Sequence, residues 1–270
     1  MVASPSGIRR FYLSPGDSAT PDDHGVHALP EPASPARPRP WWAETLAGLL
    51  ELAIAAAFVF WVIDAYAPPQ HLPWRPLRLE DPVGGATRAK LLAVAPEACR
   101  RILSEGGVAF RRLPDRDGGG FCQVRDAIAI TGGLPAFSPA GPPMACRQAL
   151  AFALWSRHEA EPAARRLLGS PIASYEHYGS YACRRVYGQA TGSPSQHATA
   201  NAIDIAAIRL ADGRRLSVLT DFRREDRRGS FLHRARDGAC RVFSHTLSPD
   251  YNAAHRDHFH LDMGGWSVCR

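Results

Sequence analysis

The 270-residue sequence lacks the local patterns that mark several common classes of protein. It has no Cys-x2-Cys pair, which argues against zinc-ribbon ligation by its six cysteines. It has no Gly-x-Ser-x-Gly segment, which disfavours a serine hydrolase built on a nucleophile elbow. No glycine-rich phosphate loop follows a strand-like segment, and no internal repeat is visible. Nucleotide-binding and repeat architectures are therefore not indicated.

Clustered basic segments are also missing, although the net charge is positive at +6. The sequence shows no recognition helix, no aromatic-basic platform and no Lys/Arg cluster, so we predict no nucleic-acid partner. Attraction to an acidic polymer or to a membrane surface explains the charge at least as well. Scattered, solvated arginines are the simplest explanation.

The N-terminal third predicts a tail and an anchor. Residues 1–40 are rich in Pro, Ser, Ala and Asp without apolar periodicity, so we expect a disordered tail. Residues 45–63 are apolar except for Glu51, and a helix of that length reaches roughly 28 Å, close to the hydrocarbon thickness of a bilayer. Residues 41–66 therefore predict a single transmembrane helix, with a buried helix as the alternative. Aromatic side chains suited to the interface flank the apolar run: Trp41, Trp42, Trp61 and Tyr66.

Charge and cysteine distribution predict the orientation. Arg37 and Arg39 precede the apolar span, and the first basic residue after it is Arg75, which places the N-terminus in the cytoplasm. All six cysteines follow the span, so we expect disulfides in an oxidising compartment, with fifteen connectivities possible. Proline-rich residues 67–83 predict a stiff linker, and residues 84–270 a folded domain.

Within that domain, apolar periodicity predicts mixed helices and strands. Because they do not follow a regular βαβ repeat, the predicted fold class is α+β. Helices are expected over residues 87–104, 146–168 and 230–247. Strands are expected over residues 127–131, 172–175, 202–208, 216–219 and 259–263.

Two short motifs predict a metal site. Residues 195–204, Ser-Gln-His-Ala-Thr-Ala-Asn-Ala-Ile-Asp, contain His197 and Asp204, and residues 255–262, His-Arg-Asp-His-Phe-His-Leu-Asp, contain His260. A hydrolytic Zn²⁺ takes three such imidazole and carboxylate ligands and leaves a fourth position to water. His258 lies two residues before His260, so both project from one face of a strand. An isolated histidine is more often a surface or core residue, but the ordered pairing of the two motifs favours zinc.

These motifs, with Tyr-Gly-Ser-Tyr-Ala-Cys-Arg at residues 178–184 and Ser-Pro-Asp-Tyr-Asn at 248–252, resemble the bacterial extensin-like C-terminal domain family. That family lies within the hedgehog/D-Ala-D-Ala zinc peptidase superfamily, and the resemblance covers about residues 80–270. It implies a hedgehog/DD-peptidase-like domain with a small antiparallel sheet that carries the zinc site. The superfamily usually has Gly where this chain has Ala200, and the methyl group is tolerated at such a tight backbone position if φ is negative.

The resemblance also implies roles for the remaining polar residues. His258 is expected to act as the base or transition-state donor, oriented by Asp257 or His255. Asp257 is the rival base, because it has the spacing of the catalytic Glu in the DD-carboxypeptidase branch. Arg184 matches an arginine that contacts the oxyanion or a substrate carboxylate, with a surface salt bridge as the alternative.

The expected protein is a membrane-anchored zinc hydrolase. It would cut an amide bond in the stem or cross-link peptides of peptidoglycan. Its helix would cross the bacterial inner membrane once, with the catalytic domain in the periplasm. The alternative is a non-catalytic module of the same fold that keeps its zinc and binds the cell wall or a protein.

Overall fold

The computed structural model describes residues 40–270, so the segment predicted as a disordered tail lies outside the described residues except for Pro40. Helix α1, Trp41–Tyr66, has 26 residues and no buried side chain. By length and composition it is the one helix in residues 40–270 suited to crossing a membrane. Its bounds match those of the predicted span. The length and apolar composition of a segment are enough to identify such a candidate, without reference to the rest of the chain.

The segment predicted as a linker, residues 67–83, is not wholly extended away from the domain. It begins with a short 3₁₀ helix, Pro69–His71. Leu77 and Leu79 are buried, and both belong to the main hydrophobic core. Lys90 Nζ donates to the Pro69 carbonyl at 2.6 Å. The second half of this segment therefore packs against the residues that follow it.

The predicted helix over residues 87–104 is divided in two. Helix α2 is Thr87–Ala93 and helix α3 is Pro96–Glu105. Pro96 disfavours helical geometry in the residue before it, and Ala95 is extended at φ −75° and ψ 153°. Pro96 itself suits the first turn of α3, because N–H groups in the first turn of a helix have no acceptor within the helix.

One long helical run forms the centre of the core and confirms the helix predicted over residues 146–168. It consists of α4, Cys146–Trp155, a π turn, Ser156–Ala160, and α5, Glu161–Leu168. Trp155 and Tyr175 are fully buried, and their polar atoms are satisfied. Trp155 Nε1 donates to the Ala235 carbonyl at 2.9 Å, and the Tyr175 hydroxyl lies 2.8 Å from Ser156 Oγ. Large aromatic groups with paired polar tips anchor this core.

A seven-stranded sheet packs against these helices. The strands are β5 Ala136–Ser138, β7 Ile172–Gly179, β8 Ala202–Leu210, β9 Arg215–Ser217, β10 His245–Leu247, β11 Phe259–Asp262 and β12 Val268–Cys269. Their order in the sheet is β12-β10-β11-β8-β7-β5, and β9 pairs with β8. The β5–β7 and β10–β12 pairs are parallel and the others antiparallel. The mixed α and β fold is confirmed, and the strands that carry the predicted ligands, β8 and β11, are antiparallel neighbours, whereas the outer strands β5 and β12 pair in parallel.

The remaining strands form two smaller sheets. These strands are β1 Ala109–Arg112, β2 Arg116–Asp117, β3 Gln123–Val124, β4 Ala127–Gly132 and β6 Met144–Ala145. One sheet has the order β1-β4-β6, and the other pairs β2 with β3. The strand predicted over residues 127–131 is therefore present as β4.

Two predicted elements are wrong at their ends. The strand expected over residues 216–219 stops at Ser217, where helix α6, Val218–Asp221, begins. The helix expected over residues 230–247 is α7, Arg227–Val242, and its last three predicted residues form β10. Pairing with β11 and β12 draws that segment into the sheet, which no local pattern could show.

Helix α7 also contains Gly238, a residue type that disfavours the interior of a helix. The helix continues because the glycine permits close packing. A Cβ at Gly238 would lie 2.6 Å from Glu159 Cβ on the π turn. The absence of a side chain there is a packing requirement, and the helical propensity lost with glycine is about 1 kcal/mol.

Three disulfides confirm that the cysteines are paired, as their distribution predicted. They are Cys99–Cys146, Cys122–Cys183 and Cys240–Cys269, which pair all six cysteines. The first joins α3 to α4, and the third joins α7 to β12. A native disulfide typically contributes about 2–4 kcal/mol to stability. The crosslinks therefore hold distant segments of the domain together.

Ala200 does not meet the condition of a negative φ, because its φ is +55°. This left-handed conformation costs a residue with a Cβ about 1–2 kcal/mol. Ala200 is fully buried, and its carbonyl accepts a bond from Ala145 N at 2.8 Å. The surrounding contacts hold the residue in place where the chain turns from the segment of His197 into β8.

Candidate metal centre

The predicted ligands come from three adjoining elements. His197 lies in a 3₁₀ turn, Gln196–Thr199, whose start is capped by Ser195 Oγ, which accepts from His197 N at 3.3 Å. Asp204 lies on β8 and His260 on β11. These strands are antiparallel neighbours, and His260 stands directly opposite Asp204 in their register. Strand pairing and one tight turn thus bring together residues that lie up to 63 positions apart.

The ligand atoms converge on one point. His197 Nε2 lies 3.2 Å from Asp204 Oδ1 and 3.1 Å from His260 Nδ1, and the last two atoms are 2.9 Å apart. Atoms bound to zinc at roughly 2.0–2.2 Å with tetrahedral angles lie roughly 3.3–3.6 Å from one another, slightly farther apart than these three atoms. His197 is only 3% exposed. The spacing and the His₂Asp donor set therefore fit a zinc ion.

The charges in the cluster favour a bound cation. Burial by itself raises the pKa of Asp204, but hydrogen bonds with His197 and His260 outweigh it and hold the pKa below its ordinary value. Burial lowers the pKa of His260, yet bonds to Asp204 and Asp262 outweigh that effect and raise it to about 9. At neutral pH a proton on His260 thus offsets part of the negative charge of Asp204 and Asp262. A metal cation can take the place of that proton.

A second carboxylate supports His260 from behind. Asp262 Oδ2 lies 2.7 Å from His260 Nε2, and Asp262 Oδ1 lies 2.8 Å from His245 Nδ1. Burial raises the pKa of Asp262, but the bonds with His245 and His260 outweigh it and lower the pKa to about 2. The sequence prediction missed both residues. Asp262 could have been found, because it lies two positions after His260 on the same strand face.

His258 reaches the cluster without joining the ligand set. Its Nε2 lies 3.6 Å from Asp204 Oδ1, and its Nδ1 lies 2.9 Å from Asp257 Oδ1. The other Asp257 oxygen accepts a bond from the Tyr178 hydroxyl at 3.3 Å. Burial raises the pKa of Asp257, but bonds from His258 and Tyr178 help to hold it below its ordinary value. The carboxylate is therefore ionised and orients the imidazole.

His255 lies close to the rings of His258 and His260, but its hydrogen bond is to Asn252. Its ring centroid lies 5.2 Å from that of His258 and 5.8 Å from that of His260. His255 Nδ1 lies 2.7 Å from Asn252 Oδ1. Burial, followed by repulsion from His260 and His258, lowers the pKa of His255 to about 4. The structure therefore gives Asp257, and not His255, the contact that orients His258.

Arg184 is not brought to the ligand cluster by any contact of its side chain. The residue is exposed, and among residues 40–270 its guanidinium makes no hydrogen bond or ion pair. Its backbone carbonyl accepts from Ser195 N at 3.1 Å, two residues before His197. The neighbouring Cys183 is tied to Cys122 by a disulfide. Arg184 therefore follows a fixed backbone, and neither of its predicted roles is shown.

Three exposed tyrosines surround the histidines. The Tyr178 ring lies 5.7 Å from that of His258, and the rings of Tyr187 and Tyr251 lie 6.4 and 5.4 Å from that of His255. Tyr187 has φ +55°, and its hydroxyl accepts from Asn252 Nδ2 at 2.8 Å. Backbone strain held in place beside a polar cluster is a frequent feature of functional sites. The sequence prediction assigned these tyrosines no role.

Comparison with known proteins gives one match. The family model described as Extensin-like protein C-terminus matches residues 97–270, a segment that includes all the residues of the cluster. A search of curated proteins found no match, and neither did a search of solved structures. The matched segment covers more than half of the chain and agrees with the family indicated by the motifs. The chain belongs to the extensin-like protein C-terminus family.

Proposed function

We propose that this protein is a zinc-dependent hydrolase that cuts an amide bond in peptidoglycan peptides, with a domain of the hedgehog/DD-peptidase type. One observation carries the proposal. The ligand atoms of His197, Asp204 and His260 lie within 3.2 Å of one another beside His258, which is held by Asp257. Three ligands with an adjacent acid-base group form the arrangement that metal-assisted hydrolysis requires.

The residues that would hold zinc are His197 through Nε2, Asp204 through Oδ1 and His260 through Nδ1. When bound, zinc polarises a substrate carbonyl and makes its water more acidic. The protein supplies the orientation of the three ligands, because two come from paired strands and the third from a capped turn.

His258 would move the proton. Its Nδ1 is bonded to Asp257, so the lone pair of a neutral imidazole lies on Nε2, which faces the cluster. That nitrogen can accept a proton from the attacking water and return it to the leaving amine. Both oxygens of Asp257 are already engaged, one by His258 and the other by Tyr178. Asp257 is therefore better placed to orient the base than to replace it.

Substrate contacts would come from the rim. Tyr178, Tyr187 and Tyr251 present exposed rings with polar tips, which suits a ligand that has both apolar and amide groups. The exposed guanidinium of Arg184 can take a substrate carboxylate through paired charged hydrogen bonds. Stem peptides of peptidoglycan carry such carboxylates and amides, and they are the substrate class that the family resemblance implies.

Digestion of purified cell-wall sacculi by the full-length protein in detergent tests this function. We expect new peptide fragments in the soluble fraction, detected by mass spectrometry, and their loss after treatment with a chelator. Restoring zinc should restore release, whereas His197→Ala should remain inactive with zinc added. Zinc-loaded protein that binds sacculi and cuts none of a broad panel of wall peptides would instead identify a non-catalytic binding module.

The orientation of the chain in the membrane is proposed from the charges and the disulfides on either side of α1. Arg37 and Arg39 precede α1, and all three disulfides follow it, so we propose that the N-terminus is cytoplasmic and residues 68–270 are periplasmic. A phosphatase reporter that works only in the periplasm should be active when fused after Arg270. Alkylation during cell lysis should find no free thiol. An inactive reporter with six alkylated cysteines would show the opposite orientation.

A further inference from the structure

We infer that Asp262 and His245 are positioning residues of the metal centre, which together hold His260 with its Nδ1 toward the other ligands. The inference rests on the proposed function only in requiring that a metal binds the cluster. It does not require that the protein cuts any substrate. It predicts that zinc affinity depends on two residues that would not touch the ion.

The hydrogen bonds of Asp262 determine which nitrogen of His260 is available. Asp262 Oδ2 accepts from His260 Nε2 at 2.7 Å, which leaves the lone pair of a neutral His260 on Nδ1. Asp262 Oδ1 lies 2.8 Å from His245 Nδ1 and 2.7 Å from Gly264 N, and both of these groups donate to it. The Asp262 side chain is only 4% exposed. All its contacts thus serve to hold one buried carboxylate against a ligand imidazole.

The sheet places these groups together. His245 on β10 stands directly opposite Asp262 on β11, and β10 is also paired with β12. The Cys240–Cys269 disulfide joins β12 to the end of α7. Gly264 leaves room for the contact, since a Cβ there would lie 2.9 Å from the His245 ring and 3.0 Å from Asp262 Oδ1. The close approach therefore depends on a glycine at this position.

His245 has one polar atom that its surroundings do not satisfy. Its Nε2 is buried and has no hydrogen-bond partner among residues 40–270, while its Nδ1 is paired with Asp262. A buried polar atom without a partner costs free energy that a purely apolar residue would avoid. An imidazole at this position is thus explained by the bond to Asp262. Outer contacts of this kind orient metal ligands and raise their basicity.

The test measures zinc affinity in the full-length, detergent-solubilised protein by competition with a chromophoric chelator. Asp262→Asn keeps the size of the side chain and removes its charge, and we expect zinc binding weakened about 10- to 100-fold. His245→Phe keeps an aromatic ring without the donor and should weaken binding about tenfold. His245→Asn, which places an amide N–H near the position of Nδ1, should recover most of the affinity.

Asp221→Asn is the matched control. Asp221 is also a buried carboxylate, and it accepts from Ser217 N at 2.8 Å, but it has no contact with the cluster. Its variant should bind zinc as the wild type does. The absorption spectrum of bound Co²⁺ gives a second readout, which should change in Asp262→Asn and stay the same in Asp221→Asn.

The outcomes separate this inference from the proposed function. Wild-type affinity and an unchanged Co²⁺ spectrum in both Asp262→Asn and His245→Phe would overturn the inference, even if the protein digests sacculi. Weakened binding in both supports it, even if no substrate is ever cut. If Asp262→Asn does not fold, as judged by circular dichroism, the comparison of His245→Phe with His245→Asn decides. A wild-type protein that takes up no metal would overturn both proposals.

Discussion

Loss of zinc is the expected result of replacing any one of His197, Asp204 or His260 with alanine. The wild-type protein should hold about one zinc ion per chain after dialysis. The ligand atoms of His197, Asp204 and His260 lie within 3.2 Å of one another, so each side chain would occupy one of three positions around a single ion. Loss of an outer contact typically weakens binding about 10- to 100-fold, and loss of a direct ligand should weaken it by more than about a hundredfold.

Elemental analysis after dialysis, followed by chelator competition, measures this effect. His158→Ala is the matched control, because His158 is half-buried and its Nε2 bonds the Leu79 carbonyl, away from the cluster. That variant should keep its zinc. The site assignment is wrong if the wild type, purified without chelator, contains no metal and takes up none when zinc is added.

Loss of hydrolysis without loss of zinc is the expected result of His258→Ala. His258 Nε2 lies 3.6 Å from Asp204 Oδ1, near the ligands but outside their set. A proton carrier at this position typically contributes about a hundred- to ten-thousand-fold in rate. The variant should therefore bind zinc with wild-type affinity and release wall peptides at least about a hundredfold more slowly. His260→Ala, by contrast, should lose both properties.

Asp257→Asn distinguishes the two candidate bases. The amide has nearly the size of the carboxylate but cannot take a proton, and it can still meet His258 and Tyr178. If His258 is the base, we expect Asp257→Asn to slow release less than His258→Ala does. Complete loss of turnover in Asp257→Asn with a near-normal rate in His258→Ala would make Asp257 the base. Normal rates in both variants would mean that the catalytic site lies elsewhere.

Local sequence pattern was enough for some parts of this protein. The apolar run predicted α1, because a helix that faces lipid requires only length and composition. The long helix from Cys146 onward followed from its apolar spacing. The motifs at residues 195–204 and 255–262 also identified the three side chains whose ligand atoms converge, because the donor types and their spacing are local features of the sequence.

Prediction failed where an element depends on a distant partner. The end of α7 and the start of β10 could not be seen in residues 230–247, since that strand exists only through pairing with β11 and β12. The positive φ of Ala200 likewise reflects tertiary contacts that hold a left-handed residue against its own preference. Disulfide connectivity was open for the same reason.

The sequence by itself determined which chemical groups this protein has for a candidate metal centre and that an apolar helix precedes them. Tertiary structure alone decided how those groups act. Strand register set Asp204 opposite His260 and Asp262 opposite His245. It thereby selected Nδ1 of His260 for the cluster. Residue type is a property of each position, whereas the choice of atom and partner depends on distances between segments that only the folded chain brings together.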